Sequence, residues 1–351
     1  MTTEHILVTG GAGFIGSHYV RTLLAPGGPP GIRLTVLDKL TYAGDRARLA
    51  SVRDDPRLTF VQGDVCDAPL VGEVLRTHNQ VVHFAAESHV DRSISGAGEF
   101  VRTNVLGTQT LLDAALRHGV RTFVQVSTDE VYGSVDAPAT EEAPLVPSSP
   151  YAASKAAAEL LALSCHRTHG LDVRVTRGSN TYGPWQHPEK AVPRFITELL
   201  AGREIPLYGD GLHIRNWLHL DDHVQGVELV RTRGRAGRCY NVGGGTDLTN
   251  LRLAKLLIGL CDADPDLIAY VADRPGHDRR YALDTTRIRT ELGYRPRRRI
   301  EEGLAGTVAW HRSVRRRGRR PDDGPDGRGP GGADAPGHRA HPPGGRGTRG
   351  D

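Results

Sequence analysis

The sequence predicts an α/β protein: a doubly wound parallel sheet followed by a smaller C-terminal lobe. Three observations carry this. Short β-branched or aromatic runs at residues 5–9, 34–37, 58–62, 81–84, 122–126 and 173–176 alternate with stretches of helical periodicity. A glycine-rich turn, Gly10-Gly-Ala-Gly13-Phe-Ile-Gly16, falls between the first strand and the first helix. Beyond Gly183 the alternation loosens into helices near 192–200, 220–230 and 250–260, separated by Gly/Pro turns. Strands alternating with helices at this spacing describe a parallel sheet with connections of the usual hand. The expected division is a nucleotide-binding layer over 1–183, joined again by a strand at 239–242, and a substrate lobe over 184–314.

The remainder, 315–351, is expected to be disordered. Residues 318–351 contain no Ile, Leu, Val, Phe, Tyr or Trp, so the segment lacks the apolar surface that would offset ordering. The chain has 351 residues, 38% hydrophobic and 25% charged, which is enough for a sizeable core. Its net charge of +4 comes largely from arginines in that tail, so a nucleic-acid partner is not expected. Cys66, Cys165, Cys239 and Cys261 are scattered, with neither a disulfide frame nor a metal-ligand spacing, and no metal is expected. The N-terminus enters a strand directly, and no apolar run approaches the roughly 18–20 residues that would span a bilayer. A cytoplasmic protein without a membrane partner is the expectation.

The glycine turn carries specific chemistry. Glycine is needed there for the tight turn, for close approach of backbone to a pyrophosphate, and for helix–strand packing, so Gly10, Gly13 and Gly16 mark a Rossmann-type dinucleotide site. The phosphates would rest on free N–H groups at the start of the helix, about Phe14 and Ile15. Asp38 ends the second strand, 22 residues after Gly16. A carboxylate there hydrogen-bonds the ribose diol and repels a 2′-phosphate, which favours NAD over NADP. Asp64, after the third strand, could reach the adenine amino group. The small Ala85 and Ala86 end the fourth strand and let a cofactor lie flat against the sheet.

The second informative stretch is Ser127-Thr128-Asp129-Glu130-Val131-Tyr132-Gly133, where the fifth strand ends. Ligands of open α/β sheets bind at carboxyl ends of strands, and two adjacent carboxyls beside a hydroxyl are costly to keep for packing alone. Tyr151 and Lys155 stand four apart, so a helix puts both on one face. A Lys ammonium beside a phenol would stabilise the phenolate and make Tyr151 a base for a sugar or alcohol hydroxyl. In the lobe, Lys190, Arg215, Asn250, Arg274 and His277 recur at breakpoints and could clamp a nucleotide diphosphate.

Together T-G-G-A-G-F-I-G-S-H, D-K-L-T-Y-A-G, A-A-E-S-H-V-D-R-S, S-T-D-E-V-Y-G, Y-A-A-S-K, the P-E-K at 188–190 and D-R-P-G-H-D-R-R-Y resemble the dTDP-glucose 4,6-dehydratases. These are extended short-chain dehydrogenase/reductases of deoxysugar biosynthesis, and the resemblance runs from about residue 4 to about 312. It implies NAD as cofactor, dTDP-glucose as substrate and a homodimer. Tyr151 with Lys155 would take the 4-hydroxyl proton, Glu130 the C5 proton, and Asp129 would protonate the departing 6-hydroxyl, with Thr128 holding the C4 oxygen. Implied cofactor contacts extend to Lys39, Leu40, Thr41, Gly44, Val65 and Thr103, besides Tyr151 and Lys155. Implied substrate contacts are Ser88, Thr128, Asn180, Lys190, Arg215, Asn250, Arg274 and His277. The chain departs from the usual N-C-S-N-N-Y-G-P with Arg177-Gly178-Ser179-Asn180-Thr181-Tyr182-Gly183-Pro184. Thr181 replaces an Asn expected near the nicotinamide. The alternatives are a nucleotide-sugar 4-epimerase, which would leave Asp129 and Glu130 idle, and a non-catalytic NAD-binding protein.

Overall fold

The architecture comes from a computed structural model, which describes residues 4–316 and 318. In chain order, the first half runs β1 (Glu4–Thr9), α1 (Phe14–Leu24), β2 (Ile32–Asp38), β3 (Leu58–Gln62), α2 (Ala68–Leu75) and β4 (Gln80–His83). Then come α3 (Val90–Ser95), α4 (Ala97–Phe100), a π-helical segment (Val101–Leu106), α5 (Gly107–Arg117), β5 (Thr122–Thr128), α6 (Pro150–His169) and β6 (Asp172–Gly178). The second half continues with β7 (Asn180–Tyr182), α7 (Ala191–Leu200), β8 (Ile205–Tyr208), β9 (Ile214–His219), α8 (Leu220–Arg233) and β10 (Cys239–Val242). It closes with β11 (Thr246–Thr249), α9 (Asn250–Cys261), β12 (Ile268–Val271), α10 (Thr286–Leu292) and α11 (Ile300–Arg316). The last helix thus takes in Arg315 and Arg316, two residues of the segment expected to be disordered. Apart from Gly318, which forms a turn, the rest of that segment lies outside the described residues.

Seven strands form one parallel sheet in the order β10-β6-β5-β4-β1-β2-β3. This is the doubly wound arrangement expected from the alternating pattern, and its order reverses between β1 and β4, where such sheets bind ligands. Side-chain alternation along β1 divides the core. Ile6 and Val8 face a cluster with Tyr19, Leu23, Val224, Val227 and Ile288 from α1, α8 and α10. Leu7 faces the opposite cluster, with Val71, Leu111, Phe123 and Leu163 from α2, α5, β5 and α6. Strands buried on both faces read as near-continuous apolar runs, which is why they were visible in the sequence. The chain returns to this sheet after the lobe begins, through α8, β10 and α10.

The lobe has its own core, where Val192, Phe195, Leu253, Leu257, Leu304 and Trp217 meet between α7, α9, α11 and β9. It also carries a three-stranded sheet, β11-β9-β7, and a two-stranded one, β12-β8, neither of which the sequence pattern signals. Ile-Arg-Asn-Trp-Leu-His of β9 mixes charge and apolar residues without alternation, because the strand is held between β7 and β11 and not across a half-wet face.

The junction between β5, α6 and β6 is fastened by charge. The Arg177 guanidinium meets the Glu159 carboxylate at 2.5 Å, both side chains buried. The same guanidinium donates to the Tyr132 hydroxyl at 2.7 Å, and that hydroxyl donates to Asn241 Oδ1 at 2.8 Å. Tyr132 ends the short 3-10 turn that carries Asp129 and Glu130, so the pair anchors the turn's far end. Removing one partner of a buried pair strands the other charge at about 3–5 kcal/mol. Glu159→Ala is therefore expected to lose stability on that order in denaturant melts, and Glu159→Leu with Arg177→Met to recover most of it.

Candidate active site

A cavity of about 260 Å³ opens at the carboxyl ends of β1, β5 and β6, continuous from the glycine turn to the lobe. Gly10 has φ +67°, and a Cβ there would lie 2.6 Å from the backbone nitrogen of Ala85. A Cβ on Gly16 would meet the Gly10 carbonyl oxygen at 2.3 Å. Only glycine fits either position, and the result is α1 starting hard against the sheet with an uncapped first turn at Gly13. Gly10, Gly13, Phe14, Ile15 and Gly16 all line the cavity. Asp38 is buried, accepting from Ala12 N and Leu40 N, each at 2.8 Å. Burial holds its carboxyl above the usual range, and a diol donating to it would relieve that. These features fit a dinucleotide: a glycine-cleared, donor-rich helix start beside a buried carboxyl.

At the end of β5, Thr128, Asp129 and Glu130 turn into the cavity. Thr128 caps the turn, its Oγ1 accepting from Glu130 N at 3.3 Å and donating to Asp129 Oδ1 at 3.3 Å. Asp129 Oδ2 and Glu130 Oε2 are buried with no hydrogen-bond partner among the described residues. Burial, then the neighbouring Glu130, pushes the Asp129 carboxyl well above its ordinary range. Burial also raises Glu130, but Lys190, Arg274 and Arg215 pull it back. Both carboxyls are thus raised, Asp129 the more strongly, so of the two Asp129 holds a proton more firmly and Glu130 is the better placed to act as a base.

Tyr151 and Lys155 enter the cavity one turn apart from the N-terminal end of α6, which Ser149 caps. Their electrostatics differ from the sequence argument. Lys155 Nζ donates to the Val126 carbonyl at 2.6 Å, and burial pushes it down to about 8. Burial and Glu130 raise Tyr151 above the ordinary phenol range, with only a Thr128 hydrogen bond opposing. In this arrangement the phenol holds its proton, because burial disfavours the phenolate and the Glu130 carboxylate adds to that.

The predicted substrate residues split into two groups. Ser88, Asn180 and Lys190 line the cavity, and Lys190 Nζ donates to the Ser88 carbonyl at 2.7 Å. Arg215 and Arg274 come in behind, close enough to act on Glu130. Arg215 is buried over the Tyr281 ring at 4.2 Å and donates to the Asp278 carbonyl at 2.9 Å. Asn250 starts α9 and donates its backbone N–H to the His213 carbonyl at 2.9 Å. His277 stacks on His213, centroids 3.8 Å apart and planes 14° off parallel, with Asp273 bonded to both rings. These three residues bring ligand atoms within 4.8 Å, but stacked rings run their in-plane lone pairs side by side and do not converge them on one ion.

Among the predicted cofactor residues, Ala86 lines the cavity, whereas Lys39, Leu40, Thr41, Gly44, Asp64, Val65, Ala85 and Thr103 are not among its lining residues. Lys39 pairs with Asp64 at 2.9 Å, and a Cβ on Gly44 would meet Asp38 Oδ1 at 2.8 Å. Val65 is buried against Gly107, and Thr103 lies in the π-helical segment. Sequence reading did not select Ser179, Gln186 and His223, which share the cavity wall with Thr181. The signal for His223 was weak, a single His inside an amphipathic helix.

The comparisons agree with this geometry. The GDP-mannose 4,6 dehydratase family pattern matches residues 7–307. A dTDP-glucose 4,6-dehydratase of Streptomyces griseus is 63% identical over 314 residues, covering 89% of this chain and 95% of that protein. One of Streptomyces antibioticus is 62% identical over 315 residues, covering 89% and 93%. The solved structure of DesIV, a dTDP-glucose 4,6-dehydratase from Streptomyces venezuelae with NAD and TYD bound, superposes with TM-score 0.87 at 57% identity, covering 89% and 98%. Fold and site define an NAD-dependent enzyme of the short-chain dehydrogenase/reductase type. The chain belongs to the 4,6-dehydratase family, as a member of its dTDP-glucose 4,6-dehydratase group.

The bias on Asp129 has a stability consequence. Its folded-state value is raised, so between about pH 4, near the unfolded value, and that raised value the native state keeps a proton that the unfolded chain has lost. Stability contributed by this group is full below that range and falls as pH rises through it. Thermal melts should therefore show Asp129→Asn gaining on the parent protein from pH 4 to pH 8. A difference that stays constant with pH would contradict the assignment.

Proposed function

We propose that this protein converts dTDP-glucose to dTDP-4-keto-6-deoxyglucose, using the residues gathered at the end of β5 and the start of α6. The observation that carries this reading is the buried Asp129–Glu130 pair, with Asp129 raised the more strongly, flanked by Lys190, Arg215 and Arg274. Elimination of water across C5–C6 needs an acid for the departing 6-hydroxyl and a base for the C5 proton, and Asp129 and Glu130 supply them, Glu130 giving a proton back to C5 once C6 is reduced. The C5 proton becomes acidic only when C4 is a ketone. Tyr151, on the same wall, receives the 4-hydroxyl proton, while Thr128 holds the C4 oxygen. NAD⁺, when bound, supplies the hydride acceptor at C4 and returns the hydride at C6, and its positive ring favours loss of the phenolic proton. Gly10 to Gly16, Asp38 and Lys155 hold it, with Lys39, Leu40, Thr41, Gly44, Asp64, Val65, Ala85, Ala86 and Thr103 around it. Ser88, Asn180, Asn250 and His277, with the three cations, hold the nucleotide diphosphate and sugar. An epimerase would need no acid–base pair, and a non-catalytic NAD binder would need neither that pair nor Tyr151.

The same reading includes a homodimer in the cytoplasm. Ile94, Val101, Leu106 and Leu160 are about half exposed on the packed helices α3, the π-helical segment and α6. An apolar face of this kind marks an interaction surface. The four cysteines are free, as in a reducing compartment.

Incubation with dTDP-glucose should yield a product lighter by one water and no net reduced cofactor; absence of product with dTDP-, UDP-, GDP- and CDP-glucose would contradict the reading. Glu130→Gln should abolish solvent deuterium incorporation at C5. Tyr151→Phe should slow the first hydride transfer by roughly 10²–10⁴-fold, the weight of a general base. Val101→Glu with Leu106→Glu should shift the protein to a monomer in sedimentation, with its melting behaviour retained.

A further inference from the structure

Thr181 and Gly178 are both departures from the usual motif, and both touch the same side chain. His223, from α8, is buried and reaches the cavity wall beneath β6. A Cβ on residue 178 would lie 2.6 Å from its Cε1 and 2.7 Å from its Nε2, so the ring sits where any larger residue would project. Its other nitrogen, Nδ1, is 2.7 Å from Thr181 Oγ1, and that oxygen is 3.0 Å from the Ser179 carbonyl.

The hydrogen count settles the tautomer. Thr181 has one hydroxyl proton. The Ser179 carbonyl can only accept, whereas an imidazole can carry its proton on either nitrogen. Both contacts are made at once only if the hydroxyl donates to Ser179 and His223 Nδ1–H donates to the hydroxyl. Burial keeps the ring neutral, its value pushed down to about 4. Nε2 is then a bare acceptor, buried and without a partner among the described residues. A buried acceptor of this kind costs free energy until a donor reaches it.

We propose that His223 Nε2 accepts a hydrogen bond from the amide N–H of the nicotinamide carboxamide, and that Thr181 and Gly178 position the ring for it. The inference rests on NAD occupying the cavity as described under the proposed function. Among the groups of NAD, the carboxamide is the N–H donor carried on the reacting ring, and His223 shares one wall with Tyr151, Lys155, Gly178 and Thr181. Among the described residues Asn180 Oδ1 is also unpartnered in that wall, but it belongs to an amide that can present either N or O. Gln186 Nε2 donates to the Thr181 carbonyl at 2.7 Å, which fixes its unpartnered Oε1 as a second acceptor in the wall. Of the two fixed acceptors, His223 is the one whose ring occupies the space that Gly178 leaves clear, and Gln186→Leu is the control that should leave the preference for NAD⁺ in place. His223 is thus a positioning residue, orienting the ring face presented to the sugar.

The test is competitive exchange on the holoenzyme. Protein is equilibrated with a mixture of NAD⁺ and its 3-acetylpyridine analogue, which keeps the carbonyl but replaces the amide NH₂ by methyl. The bound ratio is read by mass spectrometry after gel filtration. The parent protein should prefer NAD⁺ by roughly 5- to 100-fold, the range for leaving a buried acceptor unpaired. His223→Leu should reduce the preference to near unity. Thr181→Val, which frees the tautomer while leaving the ring, should narrow it, and Thr181→Ser should restore it. An undiminished preference in His223→Leu overturns the inference, as does a parent protein that binds both dinucleotides equally. If His223→Leu fails to fold, the Thr181 pair decides: equal preference in Val and Ser variants overturns it. A parent protein that retains neither dinucleotide overturns the cofactor reading itself.

Discussion

Two carboxyl groups side by side and out of water constrain everything around them. Asp129 and Glu130 cannot both ionise cheaply in so dry a place, and they cannot both stay protonated with three cations nearby. Lys190, Arg274 and Arg215 act against the rise at Glu130, Arg215 acts on Asp129 as well, and Asp129, the more strongly raised of the two, keeps a proton. Under the proposed function the same cations would also face the diphosphate, which needs a positive wall. In the proposed function one electrostatic arrangement serves both binding and elimination.

The sheet's contribution is rigidity at the correct edge. β5 is buried along its whole length and ends in the turn that bears both acids. The buried Arg177–Glu159 pair and the Tyr132 hydroxyl hold that turn to α6 and β6, and α6 delivers Tyr151 and Lys155 to the same cavity. The glycine turn after β1 clears space on the other side. A hydride must cross between a flat ring and a sugar carbon at close range, so each wall has to be stiff, and strand ends backed by a double-layered core provide that.

Most of this architecture was legible because it obeys strong local rules. The buried parallel strands are unbroken apolar runs, the glycines sit between strand and helix, and the Tyr151–Lys155 spacing only makes sense on a helix. The lobe's small sheets were not legible, since Ile214–His219 and Thr246–Thr249 gain their strand character from tertiary pairing. The protonation of Tyr151 also escaped sequence reasoning. Spacing shows that Lys155 shares its face, but only coordinates show the ammonium bonded to Val126. His223 belongs with these: a histidine in a helix says nothing until Thr181, Ser179 and Gly178 are seen around it.

The central claim is that neighbouring carboxyls hold opposite protonation states at neutral pH. Difference infrared spectroscopy of the holoenzyme with carboxyl-¹³C aspartate, against Asp129→Asn and Glu130→Gln variants, reads this directly. The account predicts a protonated-carboxyl band that Asp129→Asn removes and Glu130→Gln leaves in place, together with a carboxylate band that Glu130→Gln removes. A protonated band assigned to Glu130, or two ionised carboxylates, would contradict it.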